Sequence, residues 1–248
     1  MPSRELSPGL VVQNLPATLR LSDYKLIAFD MDSTLINIEC VDEIADAVGR
    51  KAEVAAITEA TMRGEIADFK QSLRLRVALL KGVTMADLEA VYTQRLQLNP
   101  GAETLVEACK KAGLKVLLVS GGFTFFADRV KDRLGIDFAR SNQLEIDGLS
   151  GVRTPKGSGD QLTGGLVTQS WGDICDGLEK RRTLLEVASL MGINPAQCIA
   201  MGDGANDLPM MGAAGLSVAF HAKSKVREQA MVSIESGGLD RLLEVLAC

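Results

Sequence analysis

Aromatic residues are scarce in this 248-residue chain, with seven Phe, two Tyr and one Trp. So few rings disfavour the stacking platforms that hold single-stranded nucleic acid. Positive charge is not in surplus either: 27 Lys and Arg stand against 32 Asp and Glu, for a net charge of -5. With a pI near 5.1 and Lys180-Arg181-Arg182 as the one short basic cluster, a phosphate-backbone stripe is not expected. His221 is the only histidine and sits in a polar stretch. A Ser-His-Asp hydrolase is therefore disfavoured, because that chemistry needs a histidine beside its nucleophile. Cys40, Cys109, Cys175, Cys198 and Cys248 are odd in number and contain no Cys-x-x-Cys pair, so neither a zinc site nor a disulfide framework is indicated. No apolar run approaches the roughly 20 residues of a membrane span. Pro8, Gly9, Asn14 and Pro16 break up the N-terminus, which lacks the apolar core of a signal peptide. No Gly-x-x-x-x-Gly-Lys-Ser/Thr loop occurs. The expectation is a soluble cytoplasmic protein with reduced thiols, a monomer or homodimer, acting on a small molecule rather than on nucleic acid or a membrane.

What is present begins with Leu26-Ile27-Ala28-Phe29, a short apolar run that leads into Asp30 and Asp32. Such a run reads as a strand buried in a parallel sheet, and the carboxyl ends of those strands carry the ligand chemistry of open α/β sheets. Asp30 is expected at the strand tip, with Asp32 one pleat further on and pointing the same way. Two carboxylates held so close require a cation, a shared proton or a reaction.

The length suits one large α/β domain or a core carrying a smaller insert. Residues 1–24 read as an irregular extension or edge element. Helical spacing then runs from about residue 39 to 95, in Val41, Ile44, Ala45 and Val48, in Val54, Ile57 and Thr61, in Phe69, Leu73, Val77 and Leu80, and in Leu88 and Val91. That is too long for an ordinary crossover, so a helical-bundle cap over residues 39–98 is expected to interrupt a core made of 25–38 and 99–248. Further strands are expected at 115–119, 198–201 and 216–219, with short strands across 138–149. Helices are expected at about 102–112, 123–134, 178–191 and 239–246. Between Gly151 and Gly165 the composition turns to Gly, Ser, Thr and Pro, which reads as an exposed loop. Alternating strands and helices give a doubly wound, mostly parallel, Rossmann-like sheet with a small helical cap.

Three strand ends carry polar payloads: Asp30 with Asp32, then Ser120-Gly121-Gly122, then Asp203 with Asn206 and Asp207. Each alone is weak; together they project to one edge of one sheet. Acids from two strands form an all-oxygen site suited to Mg²⁺. Ser120 and the amides of a helix start after it supply neutral donors to an anion. Lys180, in the polar lead-in to a helix, supplies a fixed positive charge. These parts describe phosphoryl transfer through a covalent aspartyl-phosphate. Asp30 attacks phosphorus; Asp32 protonates the leaving alkoxide and then activates water. On the helix after Phe69, Arg76 falls near the Phe69, Leu73 and Leu80 stripe, whereas Arg74 lies far round. An inward-facing arginine needs an anionic partner, and its fork suits a carboxylate.

Phe-Asp-Met-Asp-Ser-Thr-Leu at 29–35, Val-Ser-Gly-Gly-Phe at 119–123, Lys180, and Gly-Asp-Gly-Ala-Asn-Asp at 202–207 resemble the motifs of the haloacid dehalogenase superfamily. Glu39, Asp42-Glu43-Ile44-Ala45, Thr58, Met62, Gly64, Phe69 and Gln71 to Val77 extend the resemblance to its branch that hydrolyses O-phospho-L-serine, the last step of L-serine biosynthesis. The resemblance implies Asp30 as nucleophile and Asp32 as acid/base. It implies Asp30, the main-chain carbonyl of Asp32, and Asp203 as Mg²⁺ ligands, with Asp207 behind them. It implies Ser120, Gly121 and Lys180 around the phosphate with Asn206 nearby. Glu39 would meet the substrate ammonium and Arg76 its carboxylate, with Met62 and Phe69 as apolar contacts. Plainer readings exist for each: a first-turn acid for Glu39, an internal ion pair for Arg76, lid core for Met62 and Phe69. The stretch from about 153 to 165 is longer than the family's usual hairpin, and the N-terminal extension is too short for the regulatory domains of longer relatives. Two other activities use the same residues: transfer of the phosphoryl group to another hydroxyl such as that of homoserine, or non-catalytic binding of a phospho-ligand.

Overall fold

The computed structural model describes residues 3–16, 18–147 and 160–246. Its centre is β3 (Leu26–Phe29), whose residues alternate between two apolar layers. Ile27 and Phe29 enter one, Leu26 and Ala28 the other. The same alternation recurs in β4 (Lys115–Phe123) and in β7 (Cys198–Gly202). Side chains of a strand point alternately to opposite faces, so strands that are apolar throughout must be covered on both sides. Helices α5 (Ala102–Lys111) and α6 (Thr124–Leu134) cover one face, and α7 (Gly177–Leu190) covers the other.

With β1 (Arg4–Ser7), β2 (Leu10–Val12), β5 (Phe138–Ile146), β6 (Leu162–Val167), β8 (Leu216–Phe220) and β9 (Val232–Ile234), the described strands form one sheet in the order β1-β2-β9-β8-β7-β3-β4-β5-β6. Pairing is parallel from β9 to β5 and antiparallel at both margins. The chain moves from β3 outward to β4 and β5, then returns to β7 on the other flank of β3. That reversal opens a crevice at the carboxyl ends of β3 and β7. Phe29 is level with both Leu118 and Met201, so Asp30, the Ser120 turn and Asp203 emerge side by side.

Between β3 and α5 lie four helices: α1 (Cys40–Ala47), α2 (Lys51–Met62), α3 (Phe69–Ala78) and α4 (Met85–Gln94). Their ends are chemically marked. Asp68 caps α3 by accepting from the Gln71 amide, and Thr84 and Asp87 form a reciprocal capping box on α4. Ile44, Val54, Leu73, Val77, Leu88 and Val91 bury into the same apolar cluster as α5 and α6.

Of residues 1–24, read as an irregular extension or edge element, 4–12 take the second form: a hairpin that adds antiparallel strands beside β9, because Leu10 and Val12 bury against the sheet margin. Other sequence expectations are corrected. Residues 138–146 are one continuous strand. The expected exposed loop from Gly151 falls outside the described residues up to 159, but its end is β6, whose backbone holds the insertion: the Leu162 amide donates to Val83 and the Gly82 amide to Leu162, each at 2.8 Å. Gly164, at φ +87°, fits because a Cβ there would stand 3.1 Å from the Ala78 carbonyl oxygen at the end of α3. The last turn, Leu239–Glu244, is a 3₁₀ helix rather than an α-helix. Cys248 lies outside the described residues.

Candidate active site

At the tip of β3 the backbone turns at once. Residues 31–35 form a wide turn closed by the Ile36 amide on the Met31 carbonyl at 3.0 Å, with Asp32 extended and Ser33 at φ +56°. Asp32 is therefore not one pleat beyond Asp30. Its carboxyl reaches instead to the start of α1, where it accepts from the Cys40 amide and thiol, each at 3.1 Å. Both aspartates still line one cleft, which encloses about 120 Å³. Glu39, Phe69, Arg76, Ser120, Gly121, Asp203 and Asn206 of the sequence-derived set line it too.

Asp30, 5% exposed, accepts from the Met31 amide at 2.7 Å and from the Lys180 ammonium at 2.7 Å. Lys180 lies within the helix expected from about residue 178. Asp176 caps α7, so Lys180 sits within the first turns and projects into the sheet tip, fully buried. Its Nζ also meets Asp207 Oδ1 at 2.7 Å. Burial opposes its charge, but Asp207 and Asp30 outweigh that and raise its pKa.

Asp30, Asp203 and Asp207 bring carboxylate oxygens within 4.8 Å of one another, against the single Lys180 cation. Burial, then Asp207, and further Asp203 raise the pKa of Asp30 despite Lys180. Asp203 is pushed up to about 7 by burial and then by Asp207. Asp32 reaches about 7 through burial and then Glu39. Buried acids in excess over cations, offering hard oxygen donors, fit a divalent cation such as Mg²⁺. Asp207 is already engaged: Oδ1 holds Lys180, and Oδ2 accepts from the Asp203 and Gly204 amides at 3.2 and 3.0 Å. Asp30 and Asp203 therefore face the cleft, while Asp207 fixes the loop that carries Asp203.

Helix α6 begins at Thr124, one residue from its expected start, but β4 runs on through Ser120 to Phe123 rather than ending at Val119. The Ser120 Oγ accepts from the Gly122 amide at 2.8 Å, which leaves the hydroxyl proton free for another acceptor. Both glycines sit in tight space: a Cβ at 121 would stand 3.0 Å from the Phe69 ring, and one at 122 would stand 3.1 Å from Asp32 Oδ2, so either neighbour would have to shift.

Across the cleft, Glu39 accepts from the Ser33 hydroxyl at 2.7 Å. Its pKa is raised, first by burial, with Ser33 opposing. Arg76 projects into the cleft with a buried Nε that has no hydrogen-bond partner. An orphaned guanidinium donor costs free energy until an anion meets it. Arg74 instead pairs with Asp173 at the surface, as the helical spacing implied. Met62 is not brought to the cleft; it ends α2 and is 71% exposed. His221 is exposed and stacks on Phe220. The sequence reading gave no role to Thr34, which donates to Asp203 Oδ1 at 3.3 Å, to Cys40, whose thiol pKa burial and Asp32 hold well above its usual value, or to Asp42. Burial raises the Asp42 pKa and Arg76 lowers it. The spacing from Glu39 to Asp42 across the first turn of α1 was the available signal, since residues three apart share a helix face.

The chain is similar to known proteins in sequence and fold. A haloacid dehalogenase-like hydrolase family profile matches residues 24–215. A phosphoserine phosphatase of Polaromonas sp. is 69% identical over 247 residues, covering 99% of this chain and all of that protein. One from Albidiferax ferrireducens is 69% identical over 240 residues, 97% of each chain. A solved phospho-aspartyl intermediate analogue of phosphoserine phosphatase superposes with a TM-score of 0.78 at 37% identity, over 90% of this chain and 99% of that one. Fold and sequence agree, and the chain belongs to the haloacid dehalogenase-like hydrolases.

Proposed function

We propose that this protein hydrolyses O-phospho-L-serine to L-serine and phosphate with Mg²⁺, the last step of serine biosynthesis. The observation that carries the reading is one small cleft with phosphoryl-transfer groups on its floor and two opposite charges on its wall. Asp30, Ser120 and the Gly121 amide surround the site where a phosphoryl group would sit. Glu39 and Arg76, from the helical insertion acting as a lid, match the ammonium and carboxylate of an amino acid. An enclosed volume of about 120 Å³ suits a free amino-acid ester rather than a protein-borne one.

Asp30 attacks phosphorus in line as the P–O bond to serine breaks. Asp32, its pKa near 7, is poised between acid and base near neutrality. It gives its proton to the departing serine oxygen. The resulting carboxylate then takes a proton from water, which attacks the aspartyl-phosphate and frees phosphate and Asp30. Ser120, the Gly121 amide and Lys180 hold the phosphoryl oxygens. Asp30, the Asp32 carbonyl and Asp203 would hold Mg²⁺, which when bound neutralises charge between the carboxylate and the phosphoryl oxygens. The free, buried thiols of Cys40, Cys109, Cys175 and Cys198 support a reducing, cytoplasmic setting.

The test is phosphate release from a panel of phospho-amino acids and phosphosugars. Phosphoserine should lead the panel. Chelation of divalent cations should lower turnover by about three orders of magnitude or more, with Mg²⁺ restoring it. Formation of phosphohomoserine in the presence of homoserine would replace hydrolysis by transfer, and absence of any turnover would leave a binding protein. Arg76→Ala should raise KM for phosphoserine by about 10- to 100-fold, the cost of losing a charge-assisted contact. Arg74→Ala removes only an exposed ion pair and should stay within about threefold. Equal effects would remove Arg76 from the substrate site.

A further inference from the structure

We propose that Asn142 is a positioning residue for the phosphate site, locking the Gly121–Gly122 peptide so that the Ser120 hydroxyl proton points to the phosphoryl group. The inference rests on the reading of Ser120 and Gly121 as phosphate ligands.

The strand register shows why an anchor is needed. Val119 pairs with Arg140 and Phe123 pairs with Asn142, so Ser120, Gly121 and Gly122 stand opposite Ser141 alone. The turn is a bulge, and a bulge leaves ladder groups unpaired. Two successive glycines also make the peptide between them easy to rotate, because neither Cβ resists it. A flip would withdraw the Gly122 N–H from Ser120 Oγ and aim the Gly121 carbonyl elsewhere.

Asn142, 1% exposed, takes up what the ladder leaves. Its Nδ2 donates to the Gly121 carbonyl at 2.8 Å, and its Oδ1 accepts from the Cys175 amide at 2.8 Å. Both partners fix the amide orientation, since the reversed amide would set oxygen against oxygen. With the Gly121 carbonyl held, the Gly122 N–H on the far side of the same peptide stays on Ser120 Oγ at 2.8 Å. The serine oxygen is then occupied as an acceptor and its proton is directed into the cleft. The Cys175 contact adjoins Asp176, the cap of α7. One buried side chain thereby ties the phosphate turn to the helix that carries Lys180.

The test measures product inhibition by inorganic phosphate, with kcat and KM, in Asn142→Leu, Asn142→Ser, Ser120→Ala and the Ser120→Ala/Asn142→Leu pair. Each is assayed where circular dichroism shows it folded. Leucine keeps the volume but not the bonds, so it should weaken phosphate inhibition by about tenfold, the scale of a lost buried hydrogen bond. Serine retains a donor and should recover part of the loss, and it serves if the leucine variant does not fold. In the Ser120→Ala background the Asn142 change should add little, because the two act through one hydroxyl. Unchanged phosphate inhibition in folded Asn142 variants, or full additivity with Ser120→Ala, would overturn the proposal. If Ser120→Ala itself leaves phosphate inhibition unchanged, the phosphate-site reading fails instead.

Discussion

Asp30→Asn is expected to lower turnover of phosphoserine by at least about four orders of magnitude, the scale seen when a covalent nucleophile is removed. The amide cannot form the acyl phosphate, and Asp32 has no intermediate to hydrolyse. The fold should not suffer. Asparagine keeps an oxygen for the Met31 amide and for Lys180, at the positions where Asp30 accepts at 2.7 Å. It also removes one charge from a group whose pKa is raised by burial, Asp207 and Asp203. An acid whose pKa rises on folding binds its proton more tightly in the native state, so its ionisation at neutral pH opposes folding. Asp30→Asn should therefore unfold at a urea midpoint equal to or above that of the parent. Phosphate release and urea denaturation on the same preparation check both halves. Full turnover, or a phosphoryl adduct mapped by mass spectrometry to another residue, would end the aspartyl-phosphate account.

Lys180→Met should fail in both respects. The ammonium lies between Asp30 and Asp207 at 2.7 Å from each and has no exposed surface. Removing it leaves two buried carboxylates without a counter-charge, a change that typically costs about 3–5 kcal/mol. Turnover should fall by about 100- to 1,000-fold or more, since the incoming phosphoryl group loses a preorganised cation. A second change, Asp207→Asn, should recover part of the stability by removing one stranded charge. It should not recover turnover. Urea midpoints at unchanged slope measure the first effect, and single-turnover phosphate release measures the second. A Lys180→Met protein as stable as the parent would mean that the acids already carry protons there.

These two residues mark the limits of sequence reading. The strand before Asp30 was legible because four apolar residues ending in acids leave little else to be, and apolar runs likewise marked where β4 and β7 begin. Helical spacing located the four helices of the insertion and separated Arg76 from Arg74, since periodicity alone decides which face a residue takes. Burial of Lys180 was not legible. A lysine after Asp176-Gly177-Leu178-Glu179 looks solvated until the cap at Asp176 and the packing of α7 on the sheet are known. Nor was the bulge at Ser120, because register depends on the partner strand. Met62 carried a family-like position into the reading, but the end of α2 leaves it in solvent.

The order of residues along the chain by itself determined the alternation of strands and helices, the long insertion after the first aspartates, and the acids and glycines at three strand ends. Those are local properties, set by periodicity and by the few residues that turns accept. Only the tertiary structure decided that Asp32 turns to the start of α1, that Asp207 is spent on Lys180 and two amides, and that Asn142 reaches the Gly121 carbonyl. The Asp207–Lys180 and Asn142–Gly121 bonds join segments distant in sequence, and the nearer contacts depend on how each loop folds over the sheet tip. Their partners are chosen by which buried polar groups must be satisfied once the sheet has closed around them.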